Sequence, residues 1–335
     1  MKSSGPTGYN RAAFLRMLGA GAIAAPGLHL QAAAADAPLL RIGVLTDCQY
    51  ADIPTPAGSK RQYRLSRQKL IEAIGHLNSM GDLDFMMHLG DAIDRDASSF
   101  DVVMPLFRQA KVPVYHVAGN HDYSIADGQK PDVPRLLEME SPYYSFERAG
   151  WRFIMLDGNA LSLFSTAKGS PEWTAAEAFR KTSQTKLADY NGGLGSVQIG
   201  WLRGQLKAAA SAGQRVVLAC HYPLLPLDGH SLWDAGAVLG LVQEFKGCIA
   251  AWWNGHNHDG NYCGAHGIHF LNFRGMVDTH QNSYARVEIF ADRMEVSGYG
   301  REVRRTLPFP APDQEAESLA AKRKAAAPRV IIPKP

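Results

Sequence analysis

The sequence predicts an α/β protein, a four-layer α/β/β/α sandwich in which two mixed sheets face each other with helices outside. Short apolar runs rich in β-branched residues recur along the chain. Amphipathic helical patterns alternate with these runs in the first half, and in the last third the runs follow one another across short turns. Alternation with helices implies parallel strands, whereas short turns join antiparallel ones.

In chain order, strands are expected at Leu39 to Leu45, Leu83 to Leu89, Val112 to Val117, Trp151 to Leu156, Arg215 to Ala219, Cys248 to Trp253, Ile268 to Phe273, Tyr284 to Phe290 and Met294 to Tyr299. Each is short and bounded by glycine, aspartate or asparagine, as buried strands are. Leu70, Ile71, Ile74 and Leu77 mark the apolar face of one helix. Val197, Trp201, Leu202 and Leu206 mark another, which Gly213 stops. Tyr123 to Ser141 and Ala160 to Asn191 show no strand pattern and are expected as lids or helical excursions.

Both ends differ from this body. Lys2, Arg11 and Arg16 stand before an apolar, small-residue stretch from Met17 to Leu30. The alanine run Ala32 to Ala35 follows, with A-x-A cleavage sites. Residues 1–37 therefore read as an export signal peptide, which implies a periplasmic or secreted protein. Arg11, Phe14, Leu15 and Arg16 resemble a bacterial twin-arginine signal with Ala12 in the second arginine position, so the route stays open. Pro26 interrupts the stretch, and it falls short of the roughly 20 residues that cross a bilayer, so no permanent span is expected. Residues 38–307 form one catalytic domain. Residues 308–335, rich in Pro, Ala, Lys and Glu without apolar period, read as a low-complexity tail.

With 46% hydrophobic and 20% charged residues among 335, the body is a globular chain with a large core. A net charge of +3, from 35 basic and 32 acidic residues, gives no support to a nucleic-acid partner. No protein partner is indicated. Cys48 and Cys220 read as small buried residues at strand ends, and Cys248 with Cys263 is the better candidate for a disulfide.

Five polar clusters close or follow the apolar runs: TDCQYAD with Asp47 and Gln49, HLGDAID with Asp91, AGNHD with Asn120 and His121, ACHYP with His221, and NGHNH with His256 and His258. Each falls at a strand C-terminus, the edge where open α/β sheets bind ligands. Asp47 and Gln49 project to the same side of an extended chain. Asp91 after Gly90 offers two oxygens to bridge ions about 3.5 to 4 Å apart. Asn120 offers an amide oxygen, and the histidines offer imidazole nitrogens. Together they supply the ligands for two divalent cations sharing one carboxylate. A nitrogen and oxygen set without thiolate suits Mn, Fe, Zn or Co. His88 and His116, inside apolar runs, read as core histidines, and His29, His76, His230 and His280 are expected to have no role.

This ordered set resembles the calcineurin-like metallophosphoesterase superfamily over about residues 40 to 300. Most members carry D-x-H in the first block, where this chain has Gln49. With QYAD, Arg61 to Ser66 (RQYRLS), Asn191 to Gly193 (NGG) and GHNHDGNY, the chain looks like the manganese-dependent ADP-ribose/CDP-alcohol diphosphatase family. The resemblance implies Asp47, Gln49, Asp91 and His258 around one metal and Asp91, Asn120, His221 and His256 around the other. It also implies Mn, and hydrolysis of ADP-ribose or of a CDP-alcohol. A broader exported phosphodiesterase or phosphomonoesterase that scavenges phosphate is the alternative.

His121 lies outside that ligand set and is expected to steady the developing charge or protonate the leaving oxygen, oriented by Asp94 or Asp122. Arg61, Tyr63 and Arg64, just after the first block, and Asn191 are expected at the substrate, with Tyr50, Tyr190 and Tyr262 as similar candidates.

Overall fold

A computed structural model describes residues 37–183 and 187–310. The export-signal stretch and most of the tail lie outside the described residues. The elements run β1 (Leu40–Leu45), α1 (Tyr63–Ser79), β2 (Phe85–His88), α2 (Phe100–Phe107), β3 (Val114–His116), α3 (Val133–Leu136), β4 (Tyr144–Arg148), β5 (Trp151–Met155), α4 (Pro171–Thr182), α5 (Gly195–Ser211), β6 (Arg215–Ala219), α6 (Ala235–Glu244), β7 (Ile249–Asn254), β8 (Asn261–Ala265), β9 (Ile268–Asn272), β10 (Ser283–Ile289), β11 (Arg293–Gly300) and β12 (Arg305–Pro308). Short 3-10 turns occur at Ala97–Ser99, His121–Tyr123 and Asp127–Asp132.

Two six-stranded sheets form, in the orders β12-β11-β10-β1-β2-β3 and β4-β5-β6-β7-β9-β8. Both are mixed: β1, β2 and β3 run parallel while β10 to β12 pair antiparallel, and β5, β6, β7 and β9 run parallel between antiparallel edges β4 and β8. The inner faces meet in one apolar layer. Ile42, Val44, Phe85 and Val287 come from the first sheet, and Phe153, Val217, Trp253 and Leu271 from the second. The Phe85 and Phe153 rings lie 5.0 Å apart across the sandwich. Each large side chain so buried is worth about 1.5–3 kcal/mol.

Outside, α1 and α2 cover the first sheet and α5 and α6 the second. Helix α1 buries Tyr63, Ser66, Leu70, Ala73, Ile74 and Leu77, the three-and-four spacing of one helical stripe. The four-layer sandwich is therefore the fold. The two segments without strand character are mainly helical excursions, carrying α3 and α4. Among the described residues no helix is long and apolar enough to cross a membrane.

Two expectations need correction. Strand β12 pairs Pro308 with Arg293, and Phe309, 8% exposed, enters the inter-sheet layer, so the packed chain continues past residue 307. All four cysteines are free. Cys248 precedes β7 while Cys263 lies on β8, and β9 runs between those strands, which keeps the thiols from meeting.

Candidate metal centre

The loops after β1, β2 and β3 carry Asp47 with Gln49, Asp91, and Asn120 with His121. Those after β6 and β7 carry His221 and then His256 with His258. The clusters converge where the two sheets open at their strand ends. Turning the chain that sharply forces unusual backbone: Asp47 (φ 52°), Gln49 (φ 45°), Asp91 (φ 58°) and His256 (φ 70°) all adopt the left-handed region. That conformation costs about 1–2 kcal/mol per L-residue, and such strain concentrates at functional sites. Close packing adds a demand for glycine: a Cβ on Gly119 would lie 2.7 Å from Asp91 Cγ, and one on Gly275 2.7 Å from His258 Cγ.

Asp91 sits at the middle. Its Oδ2 is 3.3 Å from His221 Nε2 and 2.9 Å from Gln49 Nε2. His221 Nε2 is 3.2 Å from His256 Nδ1, and ligand atoms of Asp91, His221 and His256 all fall within 4.8 Å of one another. On the other flank His258 Nε2 lies 3.2 Å from Asp47 Oδ1 and 3.1 Å from the Gln49 amide.

Each imidazole has a hydrogen-bond acceptor on its far nitrogen: Leu89 O at 2.8 Å from His221 Nδ1, Asn191 Oδ1 at 2.8 Å from His256 Nε2, and Asp278 Oδ1 at 3.1 Å from His258 Nδ1. These acceptors take the N–H and leave the lone pair of the other nitrogen pointing inward, the usual arrangement of a ligating histidine. Asp47 Oδ1, Gln49 Oε1 and Asn120 Oδ1 are buried and accept no hydrogen bond from any described residue. Convergent lone pairs and unsatisfied oxygens leave electron pairs that only a cation or protons can use.

The electrostatics agree. Burial works against the imidazolium of His221, yet the Asp91 and Asp47 carboxylates raise it to about 9. Burial likewise opposes charge on His258, which Asp47 and Asp278 raise to about 9. His256, desolvated and next to His221, stays well below the ordinary histidine value. The carboxylates thus draw two protons into the cluster, and divalent ions would displace such protons on binding. The residues present fit a paired cation centre.

His121 stands beside this set. Its Nδ1 is 3.1 Å from Asp94 Oδ1 and its Nε2 3.4 Å from Arg61 Nη1, while its peptide N–H donates to Asp91 Oδ1 at 2.8 Å. Burial disfavours its charged form, but Asp91 and Asp94 leave it raised above the ordinary value. Between the two expected orienting carboxylates, Asp94 takes the position. Asp122 instead accepts from the backbone N–H groups of Asp91, Ala92, Ile93 and Gly119, and so shapes the loops.

Of the residues expected at the substrate, Arg61 reaches the site, and Asn191 is buried behind it. The Asn191 Nδ2 donates to Gly229 O and Ser231 O, which fixes its amide against His256. Tyr63 and Arg64 do not reach it. Helix α1 begins at Tyr63 and turns that ring inward, 5% exposed, against Ala51 and Val277. Arg64, one residue on, points outward and pairs with Asp52 at 2.7 Å. Tyr262 bonds to His269 on the neighbouring strand β9, and the half-exposed Tyr190 ring lies 5.8 Å from His256. His230, expected to have no role, brings its ring to 5.6 Å from His256 and lines a pocket of about 290 Å³ together with Lys60, Arg61, His258 and Asp278. His88 and His116 are buried in the core as expected, their Nδ1 atoms 3.3 Å apart. The sequence does not single out Asp278, although MVDTH repeats the pattern of aspartate after an apolar run.

Comparison with known proteins agrees with this geometry. The calcineurin-like phosphoesterase family matches residues 40–260. The manganese-dependent ADP-ribose/CDP-alcohol diphosphatase of Mus musculus is 28% identical over 316 residues, covering 80% of this chain and 92% of that protein. The protein of the same name from Oryza sativa is 27% identical over 294 residues, covering 78% and 91%. Among solved structures, a dimetal phosphatase from Danio rerio superposes with a TM-score of 0.73 at 24% identity, covering 82% of this chain and all of that one.

Proposed function

The chain belongs to the calcineurin-like phosphoesterase family and is a metal-dependent phosphohydrolase, and from that premise we propose that it cleaves the phosphoanhydride or phosphodiester bond of nucleoside diphosphate-linked small molecules. ADP-ribose and CDP-alcohols, which the names of its relatives specify, are the first candidates. The observation that carries this reading is the convergence of Asp91, His221 and His256, whose ligand atoms lie within 4.8 Å of one another, with Asp47 and His258 paired beside them and each imidazole held by an acceptor on its far nitrogen.

Asp47, Gln49, Asp91 and His258 would hold one ion, and Asp91, Asn120, His221 and His256 the other. Manganese is the metal supported by the relatives' names, and Gln49 offers a hard amide oxygen, a donor that suits Mn better than Zn. When bound, such a pair neutralises phosphoryl oxygens and lowers the pKa of a shared water from 15.7 to about 7. The chain's own groups supply the rest. His121, held by Asp94, donates a proton to the departing oxygen, and Arg61 beside it offers a cation to the leaving phosphate.

Export to the periplasm or beyond is part of the proposal, supported by residues 1–37. That signal also favours a second reading, a broad exported phosphodiesterase or phosphomonoesterase, because nucleotide diphosphates are scarce outside the cytoplasm. The test is a panel of ADP-ribose, CDP-choline, a bis-aryl phosphate and a mono-aryl phosphate with Mn2+-loaded protein, read by product identity. AMP or CMP formed at rates well above aryl ester cleavage supports the first reading. Preference for the aryl esters supports the second, and no hydrolysis of any of them refutes both.

A further inference from the structure

The buried stripe of α1 contains one charged residue, Lys69, which is 2% exposed. A buried ammonium is costly unless every proton is satisfied, and a leucine or methionine would fill the same volume without that cost. All three protons are satisfied by a single turn: Nζ lies 2.7 Å from Met276 O, 3.1 Å from Asp278 O and 2.5 Å from Thr279 O. Burial draws the group down to about 8, so it remains charged at pH 7. Among the described residues no carboxylate forms an ion pair with it.

The same turn is tied to the metal centre on its other side. Met276 N donates to Thr46 O at 3.0 Å and Val277 N to Asp47 O at 2.8 Å. Asp278 Oδ1 holds His258 Nδ1 at 3.1 Å. Thr279 adopts φ 58°, a strained conformation for a β-branched residue, which persists only where surrounding bonds enforce it. From this geometry we infer that Lys69 is a positioning residue for the His258 side of the centre: it clamps the 276–279 turn so that the Asp278 carboxylate keeps His258 Nε2 facing Asp47 and Gln49. The other two histidines are oriented by Leu89 O and Asn191, which Lys69 does not touch, so its influence is confined to one of the two ion sites. The inference rests on the paired-cation reading above.

The test is Mn2+ titration of the full chain, with free Mn2+ read by its electron paramagnetic resonance signal and folding by far-ultraviolet circular dichroism. Wild type binds two ions. Lys69→Met and Asp278→Ala each retain one site at wild-type affinity and weaken the other about 10- to 100-fold, the range for loss of a partner that orients a ligand. Because both act through one relay, the double variant falls no more than about threefold below the weaker single. Two wild-type sites in folded Lys69→Met, equal weakening of both sites, or a double variant as weak as the product of the singles would each overturn the proposal. So would two wild-type sites in Asp278→Ala, whatever the Lys69 variants do. If Lys69→Met does not fold, Lys69→Arg replaces it, since a planar guanidinium cannot place three bonds on one tetrahedral nitrogen; two wild-type sites there refute the role. Fewer than two ions in wild type would instead refute the paired-cation reading, and the inference with it.

Discussion

Replacing His121 by alanine separates proton transfer from metal binding, because the contact between this residue and the Asp91 carboxylate is made by its backbone. The peptide N–H keeps its 2.8 Å bond to Asp91 Oδ1 in any variant, while the lost imidazole contacts Asp94 and Arg61. Metal content should therefore stay at the wild-type level. Positioned acid catalysis contributes about 100- to 10,000-fold, or about 2.7–5.4 kcal/mol of barrier. The loss depends on the leaving group: an alkoxide expelled from an alkyl phosphodiester needs the proton, whereas a phosphate monoester, with its second pKa about 6, or an activated aryl oxide departs as a stable anion. His121→Ala should thus lose kcat by two orders of magnitude or more on an alkyl phosphodiester, but by less than about tenfold on a bis-aryl phosphate. Steady-state kinetics on both substrates, with metal content measured in parallel, decides it. An equal fractional loss on both, an unchanged rate, or loss of bound metal would refute the assignment.

Three further outcomes are expected. Gly119→Ala places a methyl 2.7 Å from Asp91 Cγ; displacement of that carboxylate should remove both ions and cost about 1–3 kcal/mol in denaturant titrations, with wild-type metal content as the contrary result. Chelation should lower the melting temperature, since Mn2+ at a hundred times its Kd adds about 2.7 kcal/mol, and a melt indifferent to metal would contradict the site. Burial draws His116 down to about 4 against roughly 6.5 unfolded. The unfolded chain therefore binds more protons between those values, so native stability falls as pH drops through that window, by about 2 kcal/mol between pH 7 and 5. Urea midpoints for wild type and His116→Phe at both pH values should show a smaller acid loss in the variant; identical losses would remove His116 from the account.

The features legible in the sequence are those written locally. Each of the five ligand clusters is a short string at the end of an apolar run, so order and context identify it without knowledge of the fold. The expected strands at Leu39 to Leu45 and Arg215 to Ala219 correspond to β1 and β6 because both are buried central strands with continuous apolar runs. Strands β4, β8 and β12 left no comparable signal. All three are sheet edges, half exposed, and carry polar residues on their open side. The substrate residues were legible in part: Arg61 reaches the site and Asn191 stands behind it, whereas Tyr63 and Arg64 turn away. Whether Tyr63 or Arg61 faces the site depends on where α1 starts, and a one-residue change in helix phase turns a side chain by about 100°. Asp278 and His230 approach the histidines only through the fold, from loops that no spacing links to them.

The candidate ligands divide between the two sheets, with Asp47, Gln49, Asp91 and Asn120 following strands of the first and His221, His256 and His258 following strands of the second. The centre is thus a clasp across the mouth of the sandwich, and its bite is set by how the sheets are aligned along their whole length. A slide of a few tenths of an ångström would misalign the grip long before the apolar layer melted. Residues such as Phe85 and Phe153, whose rings meet between the sheets, hold that alignment from within the apolar layer.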